Sequence, residues 1–204
     1  MPRPPKARLE ILAAAERIVK ARGAANLTFE ELVQESGVSR GGITYHFATK
    51  DDLLRALVEH DLELGIAAEA AHSQQLANDP GAALIALIRA WCEPDSERRR
   101  FIAGMLSAVA HDPSLLEPVR EHHRRVHQHT VWDDGEIRRS VIRLAAEGLF
   151  WSEFFGCNEV PDSQRPRVIQ ALERLAREWS APALPSAQQT SPIKSKTTKK
   201  TRPQ

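Results

Sequence analysis

The sequence predicts an all-α protein with an N-terminal helix-turn-helix domain of three helices and a C-terminal helical domain. Apolar residues recur along most of the chain at the three- and four-residue spacing of amphipathic helices. Asp, Ser and Thr stand at the starts of these segments and Gly follows several of them, as helix caps require. The sequence shows no strand-like alternation and no Asn-Gly or Asp-Gly pair joining two apolar runs.

The composition is that of a folded protein. The chain has 204 residues, of which 42% are hydrophobic, enough for a packed core. It has no apolar run long enough to span a membrane, and an amphipathic helix stands where a signal sequence would, so we expect a cytoplasmic protein without a membrane partner. Cys92 and Cys157 lie in unrelated contexts and predict no disulfide. Because signatures of hydrolases, P-loop proteins and dinucleotide-binding enzymes are absent, we predict no catalysis and no cofactor.

Charge is distributed unevenly along the chain. The formal net charge is +1 overall, but residues 1–50 carry +3, residues 51–181 carry −7 and residues 182–204 carry +5. A basic first domain suits a protein that presents one end to phosphate. Residues 182–204 contain almost no large apolar side chain, so we predict a disordered basic tail. The tail either adds non-specific phosphate contacts or is an inert solubilising segment; the second is favoured.

The first two helices are marked by their termini. Residues 6–22 form the first helix and Gly23 ends it. Its predicted inward residues are Leu9, Leu12, Ile18 and Val19. Thr28 and Glu31 form a T-x-x-E capping box, so the second helix begins at residue 29. Gly37 then supplies the left-handed position that stops this helix.

The third helix follows after a very short turn and has two unlike faces. Ser39 is its predicted N-cap, and Val38, Ile43 and Phe47 face the core. The outward positions are Arg40, Gly41, Gly42, Thr44, Tyr45 and His46. Glycine is costly inside a helix, but residues without a Cβ let a backbone approach another surface closely. This spacing of helix, turn and helix is typical of a unit that inserts its second helix into the DNA major groove.

Further helices follow to residue 180. Thr49 and Asp52 form a start for the fourth helix, which runs from Lys50 to about residue 72. Asp79 is the predicted N-cap of the fifth, with Pro80 at its first position. The other predicted helices cover residues 95–111, 113–130, 133–156 and 163–179. We therefore divide the chain into a DNA-binding domain at residues 5–65 (motif about 28–47), a second helical domain at residues 66–181, and the tail.

Residues 6 to 65 resemble the N-terminal domain of the TetR (tetracycline-repressor-like) family. The matching pieces, in order and without a gap, are the first amphipathic helix, Leu27-Thr28, Gly37-Val38-Ser39 and Tyr45-His46-Phe47-x-x-Lys50-x-x-Leu53. The resemblance implies a homodimeric all-helical regulator whose C-terminal helical domain, residues 66–181, serves ligand binding and dimerisation. We expect this regulator to be a repressor. It departs from the family at Thr44, where many members have a DNA-contacting tyrosine.

The resemblance and the motif together give an expected DNA-binding set. Its members are Thr28, Ser39, Arg40, Gly41, Gly42, Thr44, Tyr45, His46 and Lys50. Thr28, Tyr45 and Lys50 are expected to hold phosphates and thereby fix the register on the duplex. Arg40 is the best candidate for a guanine contact, because its guanidinium can bond O6 and N7 together.

A two-fold dimer on a palindromic operator is expected, because dimers bind half-sites about one helical turn apart. The helices at residues 136–156 and 164–179 are apolar on more than one side, as in a four-helix dimer interface. The expected interface residues are Val141, Leu144, Leu149, Ile169, Leu172 and Leu175. The alternative is that both helices belong to an ordinary core.

A small apolar or aromatic effector is expected in the C-terminal domain, since the family places its pocket there. The candidate lining residues are Trp91, Phe101, Met105, His123, Trp151 and Phe154, although each is also an ordinary core residue. His123 and His127 have the i, i+4 spacing of metal ligands, but no suitable partners accompany them, so we predict no metal site. Two alternatives remain open: a ligand-independent, architectural DNA-binding protein, and a helical interaction or metal-binding module.

Overall fold

The computed structural model describes residues 6–93 and 95–180. These residues form nine α-helices and two short 3₁₀ segments, Ala24–Asn26 and Pro113–Leu116, which confirms the all-α prediction. The α-helices are α1 Lys6–Arg22, α2 Phe29–Ser36, α3 Arg40–His46, α4 Lys50–Gln75, α5 Ala82–Cys92, α6 Ser96–His111, α7 Glu117–His127, α8 Asp134–Phe154 and α9 Arg165–Ser180. None of the helices in this described part has the length and apolarity needed to cross a membrane. The predicted tail, residues 182–204, lies outside the described residues.

Helix α1 has the predicted bounds, and three of its four predicted inward residues, Leu12, Ile18 and Val19, are buried. Ile11 is completely buried, whereas Leu9 is 44% exposed, so the expectation for Leu9 was wrong. Residues two apart on an α-helix point in nearly opposite directions, and burying Ile11 therefore turns Leu9 to the surface. Gly23 ends the helix with φ 81°, a left-handed conformation that glycine adopts without strain.

Two predicted helix starts were wrong in detail. The side chain of Asp79 accepts from the backbone N–H of Gly81 and closes a turn, and α5 begins later, at Ala82. Its other carboxylate oxygen accepts from Arg177 Nε of α9 at 2.8 Å. Asp112 caps the 3₁₀ segment at Pro113–Leu116, which precedes α7. Helix α7 then ends at His127, three residues before the predicted end.

Two hydrophobic cores divide the molecule differently from the domain boundary proposed at residue 65. The first core contains α1–α3, the first half of α4, and also Phe101 and Met105 of α6. The second core joins α5, α8 and α9. Helix α4 runs through residue 65 without a break. By its packing, α6 therefore belongs with the N-terminal helices.

Helices α1 and α6 cross with their backbones in contact. A Cβ atom placed on Gly104 would collide with the carbonyl oxygen of Val19. Phe101 and Met105, on either side of Gly104, are only 5% and 4% exposed. This crossing fixes α6 against the helix that supports the helix-turn-helix.

Candidate nucleic-acid interface

Short-range hydrogen bonds set the geometry of the α2–α3 unit. Thr28 Oγ1 accepts from the N–H of Glu31 at 3.2 Å, and Ser39 Oγ accepts from the N–H of Gly42 at 3.2 Å. Between the helices, Gly37 has φ 70° and donates its N–H to Val33. The three predicted caps are therefore present. The Glu31 side chain does not complete the predicted capping box; it accepts from Arg22 Nη1 at 2.7 Å instead.

Helix α3 is anchored on one side and open on the other. Ile43 is completely buried and Phe47 is 3% exposed, which fixes the helix on the first core. The side facing solvent carries Arg40, Gly41, Thr44 and Tyr45, with Gly42 and His46 half-buried. Tyr45 is 84% exposed, and its ring meets the His46 ring edge-on at 5.1 Å between centroids. We call the unit formed by α1–α3 and the first turns of α4 the reading head.

Arg40 is bound within the reading head and does not extend freely into solvent. Its Nη1 donates to the carboxylate of Glu30, and its guanidinium lies over the Phe29 ring at 5.9 Å from the centroid. The pKa of Glu30 lies below its ordinary value because the carboxylate accepts from its own backbone N–H and from Arg40. A contact of Arg40 with a base therefore requires the guanidinium to leave Glu30.

All three acids of α2 are paired with arginines. Besides the Glu30 pair, Glu31 binds Arg22 at 2.7 Å and Glu35 binds Arg17 Nε at 2.6 Å. Surface pairs of this kind contribute little to stability, but they neutralise charge locally. The positive charges of Arg17, Arg22 and Arg40 are thus less available to phosphate, while the net charge of residues 1–50 stays +3.

Two further polar side chains of this surface, those of Thr44 and Lys50, have internal partners of their own. Thr44 Oγ1 lies 3.1 Å from the carbonyl oxygen of Arg40 and 3.2 Å from that of Gly41, so its hydroxyl proton is used within the helix. Lys50 Nζ donates to the carbonyl oxygen of Ala25 at 3.0 Å. Lys50 therefore lies beside the 3₁₀ segment that precedes Thr28.

Different structural features explain why glycine stands at positions 41 and 42 of α3. A Cβ on Gly42 would lie 2.8 Å from Cγ1 of Val38, so the start of α3 packs too closely for a side chain there. A Cβ on Gly41 would meet nothing within 4 Å among the described residues. Only Gly41 thus fits the expectation of a backbone left bare for an outside surface.

An apolar stripe on α8 is left uncovered in the single chain. Ile137, Val141 and Leu144 are 50%, 49% and 67% exposed, and Phe155, just beyond the helix, is 59% exposed. Their spacing of four, three and eleven residues keeps them along one face. Leu149, predicted in the interface, is instead 8% exposed in the second core, because it faces α5 and α9. Ile169, Leu172 and Leu175 are partly buried against that same core.

The six candidate effector residues do not line one common cavity in the described structure. Phe101 and Met105 lie in the first core, whereas Trp91 packs on the second and meets Phe150 edge-on at 5.3 Å. Trp151 and Phe154 form an aromatic cluster at the end of α8. His123 lies on α7 beside His127, with its pKa lowered mainly by burial. Phe150 joins Trp91 to Trp151 and Phe154, so the six candidates lie in three places: the first core, this aromatic cluster and α7. The sequence did not indicate this separation.

Sequence reasoning also missed a half-buried ion pair between α4 and α6. Asp61 of α4 and Arg98 of α6 form an ion pair at 3.5 Å, and Arg98 lies over Trp91. The signal was present: Asp61, Gly65 and Glu69 are spaced by four residues, so they form a polar stripe within a largely apolar helix. Acidic residues along one face of a largely apolar helix indicate a partner or ligand of opposite charge.

Comparison with known proteins gives the same family at both ends of the chain. Residues 11–57 match the family of bacterial regulatory proteins called the tetR family, and residues 81–177 match the tetracyclin repressor-like C-terminal domain. The regulator BetI of Brucella suis is 30% identical over 171 residues, which cover 78% of this chain and 85% of BetI. Other matches cover the N-terminal part alone, as with YfiR of Bacillus subtilis, matched over 61 residues or 30% of its length.

Solved structures share the fold over most of the chain. The regulator SCO7518 of Streptomyces coelicolor superposes with a TM-score of 0.65 at 23% identity, covering 84% of this chain and 99% of that one. A transcriptional regulator of Saccharomonospora viridis, solved in complex with choline, has a TM-score of 0.62 at 18% identity, with 83% and 96% covered.

Proposed function

Because the chain belongs to the TetR family, whose members are DNA-binding transcriptional regulators and not enzymes, we propose that it is a dimeric repressor released from a palindromic operator by a small organic effector. The observation that carries the DNA-binding part is the surface of α3. A capped helix anchored by Ile43 presents Arg40, the bare backbone of Gly41 and the exposed Tyr45 on one side. That side has the size and chemistry of a major-groove reader.

In the proposed complex, each reading head inserts residues 39–46 into one of two successive major grooves. Tyr45, Thr28 and Lys50 contact phosphates and fix the register. Lys50 reaches its phosphate by exchanging the Ala25 carbonyl, and Arg40 reaches a guanine by leaving Glu30. Because Thr44 uses its proton internally, Tyr45 is the side chain of this helix that remains free for the longer contact.

Dimerisation is proposed through the uncovered stripe of α8, supported by α9. Ile137, Val141 and Leu144 form a continuous apolar face that water contacts in the single chain. Burying such a face against its copy generates a two-fold interface, as a palindromic operator requires. Leu149 supports this interface from within its own chain.

The effector is proposed to bind among α4–α8 and to change the separation of the two reading heads. The choline found in the Saccharomonospora viridis regulator supports a small organic ligand in a protein of this fold. Such a ligand shifts the equilibrium only by its preference for one of the two head separations. Binding that leaves operator affinity unchanged at saturation would exclude that compound as the effector.

The test is selection of bound duplexes from a random DNA pool by the purified full chain, followed by sequencing. A palindrome with half-sites about one helical turn apart supports the proposal. Arg40→Ala should then relax the choice at one position per half-site and cost about 1–3 kcal/mol on the selected duplex. If Arg40→Ala lowered the affinity equally for all duplexes, Arg40 would contact a phosphate and not a base. No enriched sequence, with binding that fades uniformly with salt, would indicate the architectural alternative.

A further inference from the structure

The guanidinium of Arg98 lies between three helices. Its Cζ is 5.2 Å from the centroid of the Trp91 ring on α5, and its Nε is 3.5 Å from Oδ1 of Asp61 on α4. A Cβ on Gly65 of α4 would lie 3.5 Å from Nη2, in ordinary contact. The cation thus has an aromatic face, a carboxylate and a bare backbone position around it. We call Asp61, Gly65 and Trp91 the cation cradle.

Arg98 is held loosely compared with the next residue of the same helix. Arg99 Nη2 donates to Glu153 at 2.9 Å, and the same carboxylate accepts from Arg165 Nε at 2.5 Å. The buried Nε of Arg98 has no hydrogen-bond acceptor among the described residues, since its ion pair with Asp61 is long. A buried donor without an acceptor costs free energy. Replacing the Arg98 guanidinium here by a cation that needs no hydrogen bonds is therefore favoured.

The surroundings of the cradle contain more negative than positive charge. Burial raises the pKa of Asp61, with Arg98 acting against that effect. Burial also raises the pKa of Glu69, one turn after Gly65, against the opposing effect of Arg143 and Arg98. These two part-buried carboxylates face Arg98 and Arg143, and the carboxylates of Glu16, Asp95 and Glu147 add further negative charge nearby. Such carboxylates are stabilised by any further cation that is brought close to them.

The ring of Trp91 is already oriented for a cation. Phe150 meets it edge-on at 5.3 Å, which fixes the plane of the indole. The face of a tryptophan is the aromatic surface that attracts cations most strongly, and it does so without directed hydrogen bonds. A quaternary ammonium group, which has no N–H to donate, is suited to this combination of ring and carboxylate.

We propose that the cation cradle, with Glu69 beside it, is the binding site of an organic cation and that Arg98 is its internal occupant, which the ligand displaces. This assignment rests on the proposed function, because it names the chemical class of the effector. Arg98 links α6 to α4, and α4 begins at Lys50, directly after the reading helix. Displacing Arg98 therefore removes a link between α6 and the helix that carries the reading head.

The test is calorimetric titration of the full chain, without DNA, by choline and by its neutral isostere 3,3-dimethylbutan-1-ol. Choline should bind saturably, and the neutral compound should bind at least about tenfold more weakly. Arg98→Ala should bind choline and methylguanidinium about tenfold more tightly than the native chain, because the occupant is gone. Asp61→Asn should bind both cations about tenfold more weakly than the native chain.

Arg100→Ala is the matched control. Arg100 lies two residues further on the same helix, 63% exposed and paired with Glu97, so its removal changes net charge without opening the cradle. Its affinity for choline should equal that of the native chain. Equal binding of the neutral isostere, or no gain in Arg98→Ala over Arg100→Ala, would overturn the cation site. Denaturation curves for each variant show that a loss of binding is not a loss of folding.

A second titration on the selected operator separates this proposal from the proposed function. If choline binds with the expected variant pattern but does not weaken operator affinity at saturation, the cation site is supported. The same result contradicts the proposal that its ligand releases the protein from DNA. Absence of the variant pattern overturns the cation site, whereas the enriched palindrome would still establish the regulator.

Discussion

The reading head and the α8–α9 pair differ in how completely they bury their apolar side chains. In the reading head Ile11, Leu32 and Ile43 have no exposed surface. On α8, Leu144 is 67% exposed although it lies in the middle of a long helix. The head therefore completes its core within one chain, whereas α8 still has apolar area to cover. Folding of the head and assembly of the dimer should therefore be separate properties, each affected by different substitutions.

The largest expected effect comes from placing a charge on the open stripe. Leu144→Arg should weaken self-association by about 3–5 kcal/mol, more than about 100-fold in the dissociation constant, because the charge would be buried without a partner. Sedimentation equilibrium measures this directly. Leu106→Arg, on a 37% exposed position of α6 away from the stripe, is the control and should self-associate normally. A dimer of unchanged affinity in Leu144→Arg would show that the stripe is not the interface.

A cavity in the reading head should lower the stability of the fold and leave self-association unchanged. Ile43→Ala removes a completely buried side chain and should lower the free energy of unfolding by about 3 kcal/mol, measured by urea denaturation. Tyr45→Ala, two residues away and 84% exposed, should change it by less than about 0.5 kcal/mol. Equal losses in the two variants would mean that α3 is not anchored as described.

Removing a helix cap should lower stability by a smaller amount. The reading head allows a comparison between the caps of α4 and α2. Thr49 and Asp52 exchange both bonds of a capping box, whereas Thr28 makes only one of them. Thr49→Ala should therefore cost about 1 kcal/mol of stability in urea and Thr28→Ala less than that. A larger loss in Thr28→Ala would show that the Arg22–Glu31 pair depends on that cap.

The smallest expected effect concerns the partner of Arg40. Glu30→Gln frees the guanidinium and removes a carboxylate from the proposed phosphate-facing surface, so non-specific DNA should bind a few-fold more tightly. The slope of log affinity against log salt should steepen by about one, since one more phosphate is neutralised. Glu63→Gln, at a 69% exposed position on α4, removes the same charge elsewhere and should leave the slope unchanged. An unchanged slope in both variants would show that the freed Arg40 neutralises no phosphate.

Local signals explain why so much of the reading head could be predicted. Gly37, Ser39 and Thr49 each act on atoms two to four residues away, and their expected conformations and bonds are present. The same reasoning failed at Asp79, because its carboxylate is shared with Arg177, almost one hundred residues later. A cap is readable from sequence only when no distant side chain competes for it.

Packing across the chain explains the other differences. Phe101 and Met105 were assigned to an effector pocket by their chemistry, but the close crossing of α1 and α6 places them in the first core. Leu149 was assigned to the dimer interface by periodicity, but α5 and α9 cover it. Arg40 was expected to contact a guanine, and its pair with Glu30 across the turn between two helices could not be predicted from helical spacing.

The contact of Gly104 with Val19 has a consequence for protein engineering. A designer who wants to transfer the DNA preference of this chain to another sensor would naturally cut at residue 65, where the sequence divides. That graft would carry α1 without Gly104 of α6, against which it packs. It would also leave cavities in the first core where Phe101 and Met105 pack. The transferable unit is therefore discontinuous: the first helices together with the facing residues of α6, which must be transplanted as a matched pair.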